Sequence, residues 1–240
     1  MSLFVIADLH LSEGKQTNKS MEVFGNRWLD YTSKLRKNWL LLVGENDSVI
    51  IPGDISWALT LEESYDDFLF LESLPGKKYI GKGNHDFWWN STAKMTKFFN
   101  ENNFASINIL YNNAYCLENF IICGTRGWFI DEKQQNTVGE VDFNKMINRE
   151  GIRLRLSLEE GAKLSRETHL PIYAFLHFPP IWNGFICQNI IDLLEEYSVD
   201  TCYFGHIHGN YSSPQIQIYK GIKFIFCAAD YLNFVPLMVK

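Results

Sequence analysis

Apolar runs that end abruptly in polar residues recur along this chain. LFVIADLH (3–10), SVIIPGD (48–54), KKYIGKG (77–83), PIYAFLHF (171–178) and DTCYFGHIH (200–208) are five of them. Each has the length and β-branched or aromatic content of a buried strand. Between them the apolar positions change to helical spacing. Trp28, Leu35, Trp39 and Leu42 form one stripe across a helix predicted over about 26–43. Thr60 and Glu63 read as a capping box opening a helix that runs to about 73. Further helices are predicted at about 91–103, 142–168 and 188–197, the long one stopping before Pro171. Residues 114–125 and 216–226 read as hairpins, the second turning at Lys220-Gly221. Strands alternate with helices and antiparallel strands follow, so the class is α/β. No repeat, low-complexity tract or linker interrupts the 240 residues, and one domain over 1–240 is expected.

Composition removes some function classes. Hydrophobic residues make up 46% and aromatics 15%, enough for a sizeable core. The formal net charge of −6 disfavours a duplex nucleic-acid partner, which calls for a basic footprint. A small anionic substrate stays open, because bound cations can supply local positive charge. No run of about 18 apolar residues predicts a membrane span. Asp8 interrupts the N-terminal apolar run, which also lacks a basic leader. The five cysteines are scattered without a C-x-x-C pair, as expected of reduced, mostly buried thiols in a cytoplasmic protein. Oligomeric state is not legible.

Ionisable and amide side chains collect at the ends of the apolar runs. Asp8 and His10 close the first, Asp54 the second, and Asn84, His85 and Asp86 the third. His177 closes a later one, and His206 and His208 another. In open α/β sheets, sites form beyond the carboxyl ends of the strands. The i, i+2 spacing of Asp8/His10 and His206/His208 puts each pair on one face of an extended backbone, so each pair could grip a metal from one side. His, Asp and Asn form a borderline-hard donor set suited to Mn²⁺, Fe or Zn²⁺. Taken singly, each piece has an ordinary reading as a turn or a core histidine. Five of them in order, each ending an apolar strand, are hard to explain by turns.

Asp8-x-His10, Gly53-Asp54, Gly83-Asn84-His85-Asp86, His177 and Gly205-His206-x-His208 together resemble the calcineurin-like metallophosphoesterase superfamily. The motifs span residues 8–208, and no ligand of the family pattern is missing. The resemblance implies a four-layer α/β/β/α sandwich of two mixed β-sheets flanked by helices, with two divalent metal ions. It implies that Asp8, His10 and His208 hold one ion, that Asn84, His177 and His206 hold the other, and that Asp54 bridges them. His85 would face the substrate, with Asp86 either orienting it or supporting a metal ligand. The implied reaction is hydrolysis of a phosphomonoester or phosphodiester by a metal-bridging hydroxide, with His85 assisting the leaving group. Such chemistry requires a shared carboxylate between two cations and a bound water whose pKa is lowered toward about 7.

Specificity has to come from loops. Candidates are 11–25 with Lys15 and Lys19, the Phe87-Trp88-Trp89 tripeptide, 124–128 with Arg126, and 178–182. Trp88 is a candidate to stack on a base and Arg126 to clamp a phosphate, while Arg149, Arg153 and Arg155 read as a solvated helix face beside Glu150. Two other classes fit the same fold. A metal-dependent nuclease would want a basic groove, and a non-catalytic scaffold would typically lack ligands that this chain keeps.

Overall fold

The computed structural model describes residues 1–14, 19, 21–128 and 140–240, with backbone alone at 140–144. The chain divides into two compact units. One comprises Met1–Ile109, His206–Ser213 and Cys227–Lys240, and the other Leu110–Gly205 and Pro214–Phe226.

In the first unit, strands β1 (Leu3–Val5), β2 (Ser48–Ile51), β3 (Lys77–Ile80) and β4 (Ile107–Ile109) run parallel, and β13 (Leu237–Met238) lies antiparallel beside β1. They form a five-stranded mixed sheet in the order β13-β1-β2-β3-β4. The helices of this unit are α1 (Tyr31–Leu42), α2 (Tyr65–Glu72) and α3 (Thr92–Glu101). The predicted stripe on α1 buries Leu35 and Trp39, while Leu42 stays exposed. Around Thr60 the expected cap forms in part, with Glu63 reaching the amide one residue before Thr60 instead of Thr60's own. Thr60 accepts from the Glu63 amide (3.2 Å) and Glu63 accepts from the Leu59 amide (2.9 Å). It closes a turn, and α2 begins only at Tyr65. Phe68 of α2 packs against Phe99 of α3 and against Trp88, ring centroids 4.9 and 5.0 Å apart.

The second unit carries β5 (Asn113–Cys116), β6 (Ile121–Thr125), β7 (Ile172–Leu176), β10 (Thr201–Phe204), β11 (Ile216–Tyr219) and β12 (Ile222–Phe226). They form a six-stranded mixed sheet in the order β11-β12-β10-β7-β6-β5. Both expected hairpins are present, and Lys220 and Gly221 take the positive φ angles of a tight turn (50° and 82°). Helix α4 (Glu140–Thr168) lies against β5 and β6. Gly161 of α4 lets it approach, because a Cβ there would stand 2.3 Å from the Cys123 sulfur. Helix α5 (Gln188–Glu196) and a two-stranded ribbon of β8 (Ile181–Trp182) and β9 (Phe185–Ile186) complete the unit. The architecture is α/β, with two mixed sheets flanked by helices, as expected.

The ligand-bearing strands are shorter than the apolar runs that predict them. Strand β1 ends at Val5 and β10 at Phe204. Beyond them Asp8, His10, Asp54 and His206 all take left-handed backbone conformations, with φ of 61°, 47°, 52° and 74°. Contrary to expectation, the i, i+2 pairs are therefore not presented by extended backbone. The chain leaves the sheet before the ligands and turns them by local strain, which non-glycine residues adopt chiefly where surrounding structure enforces it. Among the described residues, no helix is long and apolar enough to cross a membrane.

Candidate metal centre

In the first unit, four loop ends bring the sequence-predicted ligands together. Parallel pairing of β1 and β2 continues into their loops, where the Asp8 amide donates to Gly53 O (3.0 Å) and the His10 amide to Asp54 O (2.9 Å). The Asp54 loop rests on the turn after β3. A Cβ on Gly53 would lie 2.5 Å from the Gly83 nitrogen, and one on Gly83 would lie 2.0 Å from Asp54 Oδ1. Glycine is the residue both positions accept, which explains the Gly-Asp and Gly-Asn-His spellings. The His85 amide donates to Asp54 Oδ1 (2.8 Å), and the His206 amide to Asp8 Oδ2 (2.8 Å). Asn84 stands half-buried beside His85 in the same turn.

The side chains converge on a common point. His10 Nε2 and His208 Nε2 are 3.0 Å apart. Asp54 Oδ2 lies 3.7 Å from the former, and Asp8 Oδ1 lies 3.9 Å from the latter. Two imidazole nitrogens each about 2.1 Å from one ion and at right angles would be about 3 Å apart, so the separation fits shared coordination. Asp8, His10 and His208 form one potential ligand group. Ligand atoms of Asp54 and His206 also lie within 4.8 Å of each other. His206 and His208, two residues apart in sequence, thus fall in different potential ligand groups. His177 follows β7 in the second unit, where its amide donates to Arg126 O (3.1 Å).

Electrostatics point the same way. Burial, and then the neighbouring Asp54 carboxylate, pushes the Asp8 pKa well up. Burial, with His208 next, pushes the His10 pKa well down, and the same two causes take His206 to about 3. A buried set of carboxylates and neutral imidazoles is relieved by a divalent cation, which favours the deprotonated forms. The donor chemistry therefore fits a metal such as Mn²⁺, Fe or Zn²⁺.

Supporting contacts include residues that sequence reasoning missed. Asp230 holds His208 by its other nitrogen (Nδ1 to Oδ1, 3.0 Å) and also accepts from the Gly209 amide (3.1 Å) and the Tyr211 hydroxyl (3.2 Å). This is the carboxylate–histidine arrangement that fixes the orientation of a metal ligand. Burial raises the Asp230 pKa, but the bond from His208 and its companions outweigh burial and hold the carboxyl below its usual range. The available signal was a lone Asp after the apolar run of β12. His10 is held differently, stacked on Trp57 (4.8 Å, 22°) with its carbonyl accepting from the Tyr31 hydroxyl (2.6 Å).

Three sequence readings change. Asp86 makes no hydrogen bond to the His85 ring. Its buried carboxylate accepts from the amides of Gly83 (2.7 Å), Ile55 (2.8 Å), Asp54 (2.9 Å) and Ser56 (3.3 Å), and from Trp88 Nε1 (3.0 Å). It clamps the loop carrying Asp54, the second of the two roles open to it. Trp88 is only 1% exposed and packs on Phe68, leaving no face for a ligand. Arg126 donates to the buried Glu150 (3.1 Å), which also accepts from Arg153 (2.5 Å), and it sits near the rings of Trp128 and Phe178. The guanidinium is thus engaged in a buried ion cluster, and the supposed solvated face beside Glu150 is partly interior. Lys19 lies over the Trp57 ring (4.1 Å), while Lys15 lies outside the described residues.

This arrangement of ligands on strand-end loops is that of a metal-dependent phosphoesterase. The chain belongs to the calcineurin-like phosphoesterase family, whose model matches residues 1–210. Among solved structures it is similar to a protein of unknown function from Aquifex aeolicus, at 14% identity and TM-score 0.50, covering 99% of this chain and 95% of that one. It is also similar to a Thermus thermophilus protein, at 10% identity and TM-score 0.57, covering 95% and 89%. At such identities the likeness is one of fold. No curated protein matches this chain.

Proposed function

We propose that this protein hydrolyses a small phosphomonoester or phosphodiester with two divalent ions. Asp8, His10 and His208 hold one ion, and Asn84, His177 and His206 hold the other, with Asp54 shared. The observation that carries the reading is the convergence of two imidazole Nε2 atoms, 3.0 Å apart, with the Asp8 and Asp54 carboxylates. The place of Asn84 and His177 rests on the family pattern. When bound, such ions acidify water and offset charge on the phosphoryl oxygens.

The chain's own residues do the rest. Asp86 fixes the Asp54 loop, and Asp230 fixes the His208 ring. The His85 ring sits among His10, Trp57 and Phe87, at 5.6, 4.5 and 6.2 Å, and takes no part in the proposed ligand sets. Burial, then Lys19 and His208, lowers its pKa to about 4, so it is neutral at pH 7 before substrate arrives. A phosphate anion beside it favours the protonated form and opposes that shift. His85 can then give a proton to the departing oxygen, as general acids do.

The test is a panel of monoesters, diesters, cyclic nucleotides, nucleotide sugars and DNA, assayed with Mn²⁺ and again after chelation. Hydrolysis of a small ester that chelation abolishes is expected. Activity retained at less than one bound ion per chain would overturn the proposal, and plasmid degradation would favour a nuclease.

A further inference from the structure

Beside His85 the chain exposes an aromatic ring. Phe87 is 58% exposed, whereas Trp88 is 1% exposed and fills the core beneath it. The Phe87 ring stands edge-on to the His85 ring, centroids 6.2 Å apart at 77°. Its backbone is fixed: the Phe87 amide donates to His85 O (2.8 Å), and Asp86 on its N-terminal side is clamped by five donors. Covering a large exposed apolar side chain is favourable, by roughly 25 cal/mol for each Å² removed from water.

Position identifies what would cover it. If His85 protonates the leaving oxygen, that oxygen comes within hydrogen-bond reach of the imidazole. Whatever is bonded to the oxygen then extends over the residues flanking His85. On one flank Trp57 is nearly buried, its ring stacked on His10 and topped by Lys19. On the other flank, Phe87 is the accessible apolar surface. Its flat face suits a planar aromatic group, since stacking on an aromatic side chain is sequence-tolerant and favourable in water.

Resting on the phosphoesterase reading, we infer that Phe87 is a specificity residue which stacks on the leaving group, and that the preferred leaving group carries a planar aromatic ring, as a nucleoside does. Phe87 touches substrate but no metal and no transferred proton.

Nucleoside 5′-phosphates and ribose 5-phosphate, as monoesters or as methyl diesters scored for release of the sugar 5′-hydroxyl, expel the same kind of 5′-alkoxide and differ by the base. Leaving-group acidity therefore largely cancels in their ratio of kcat/KM. The wild-type protein with Mn²⁺ should favour the nucleoside ester by about tenfold or more, the range of one base–aromatic stack. Phe87→Ala should bring that ratio close to one and Phe87→Trp should preserve it, with bound metal equal in all three. A ratio near one in the wild type, or one that survives Phe87→Ala, overturns the inference while leaving the phosphoesterase reading intact. Titration with adenosine and with ribose provides an arm independent of turnover. Adenosine should bind the wild type about tenfold more tightly than Phe87→Ala, and equal binding overturns the inference. Absence of all hydrolysis with measurable, Phe87-dependent adenosine binding would instead sink the hydrolase proposal.

Discussion

Replacing Asp86 with Asn changes one atom from acceptor to donor in a fully buried place. Its two oxygens carry unequal loads: Oδ1 accepts from Ile55, Ser56 and Trp88, and Oδ2 from Asp54 and Gly83. All five partners are N–H groups, which suit an acceptor-only carboxylate; burial outweighs their pull and leaves its pKa above the usual carboxylate range. The better amide orientation keeps oxygen at the first position and puts NH₂ at the second. The amides of Asp54 and Gly83 then face a donor. Each lost bond to a charged group is worth about 1.5–3 kcal/mol, so Asp86→Asn should destabilise the protein by about 3–6 kcal/mol. At a few degrees per kcal/mol for a chain of this size, Tm should fall by about 10 °C or more. Trp88→Phe removes one of the five donors to the charged carboxylate and preserves most of the ring volume, so a loss of about 1.5–3 kcal/mol is expected. Urea unfolding at pH 7 measures both. A loss under about 1 kcal/mol for Asp86→Asn would refute the clamp. Because one of the two broken bonds is to the Asp54 amide and the other to Gly83 in the turn packed against it, metal affinity should fall too. Full affinity at reduced stability would mean that Asp86 supports the fold and not the ligand.

Three further outcomes are expected. His85→Ala should keep its metal and lose about 10²–10⁴-fold on esters of ordinary alcohols but far less on nitrophenyl esters, whose leaving groups need little protonation; equal losses in a rate assay would make His85 a charge stabiliser instead. Asp230→Asn should weaken metal binding by about 10–100-fold through the loosened His208 ring, and unchanged affinity in a chelator competition would exclude that role. Burial lowers the Lys78 pKa to about 8, so the folded protein binds fewer protons than the unfolded chain between about pH 8 and 10.5; stability should rise with pH across that window by about 3 kcal/mol relative to Lys78→Met, and parallel pH curves for the two would refute it.

How much of this was legible in the sequence depends on the range over which each feature is encoded. Alternation of apolar runs and helical stripes is local, and it yielded the main strands, both hairpins and the α/β class. Two-residue strands such as β8, β9 and β13 carry too few apolar positions to register above the surrounding loops. The candidate ligands were legible because metals demand particular donor atoms, and such donors stood at the ends of the apolar runs. The roles of Asp86 and Trp88 were not, because a polar or aromatic residue in a turn reads alike whether it faces solvent or interior. Glu150 shows the same blindness from the other side, since a glutamate amid arginines on a helix looks solvated until its burial is seen.

The backbone at the candidate ligands shows that these residues converge by a geometry other than the one their spacing suggested. Alternation in a strand would send Asp8 and His10 to one face, and His206 and His208 to one face as well. The first pair does share a ligand group, but through two left-handed turns, and the second pair splits between groups. A strand extended through residue 10 would keep its amides in the sheet ladder. Instead the amides of Asp8 and His10 reach the carbonyls of Gly53 and Asp54, beyond the end of β2. Left-handed conformations at non-glycine residues each cost of order 1–3 kcal/mol and persist only where the surroundings enforce them. At Asp54 the enforcing contacts are the Gly53–Gly83 approach and the Asp86 clamp, neither of which contributes a ligand atom. The sequence signature of this site is thus as much in its glycines and its buried aspartate as in its histidines.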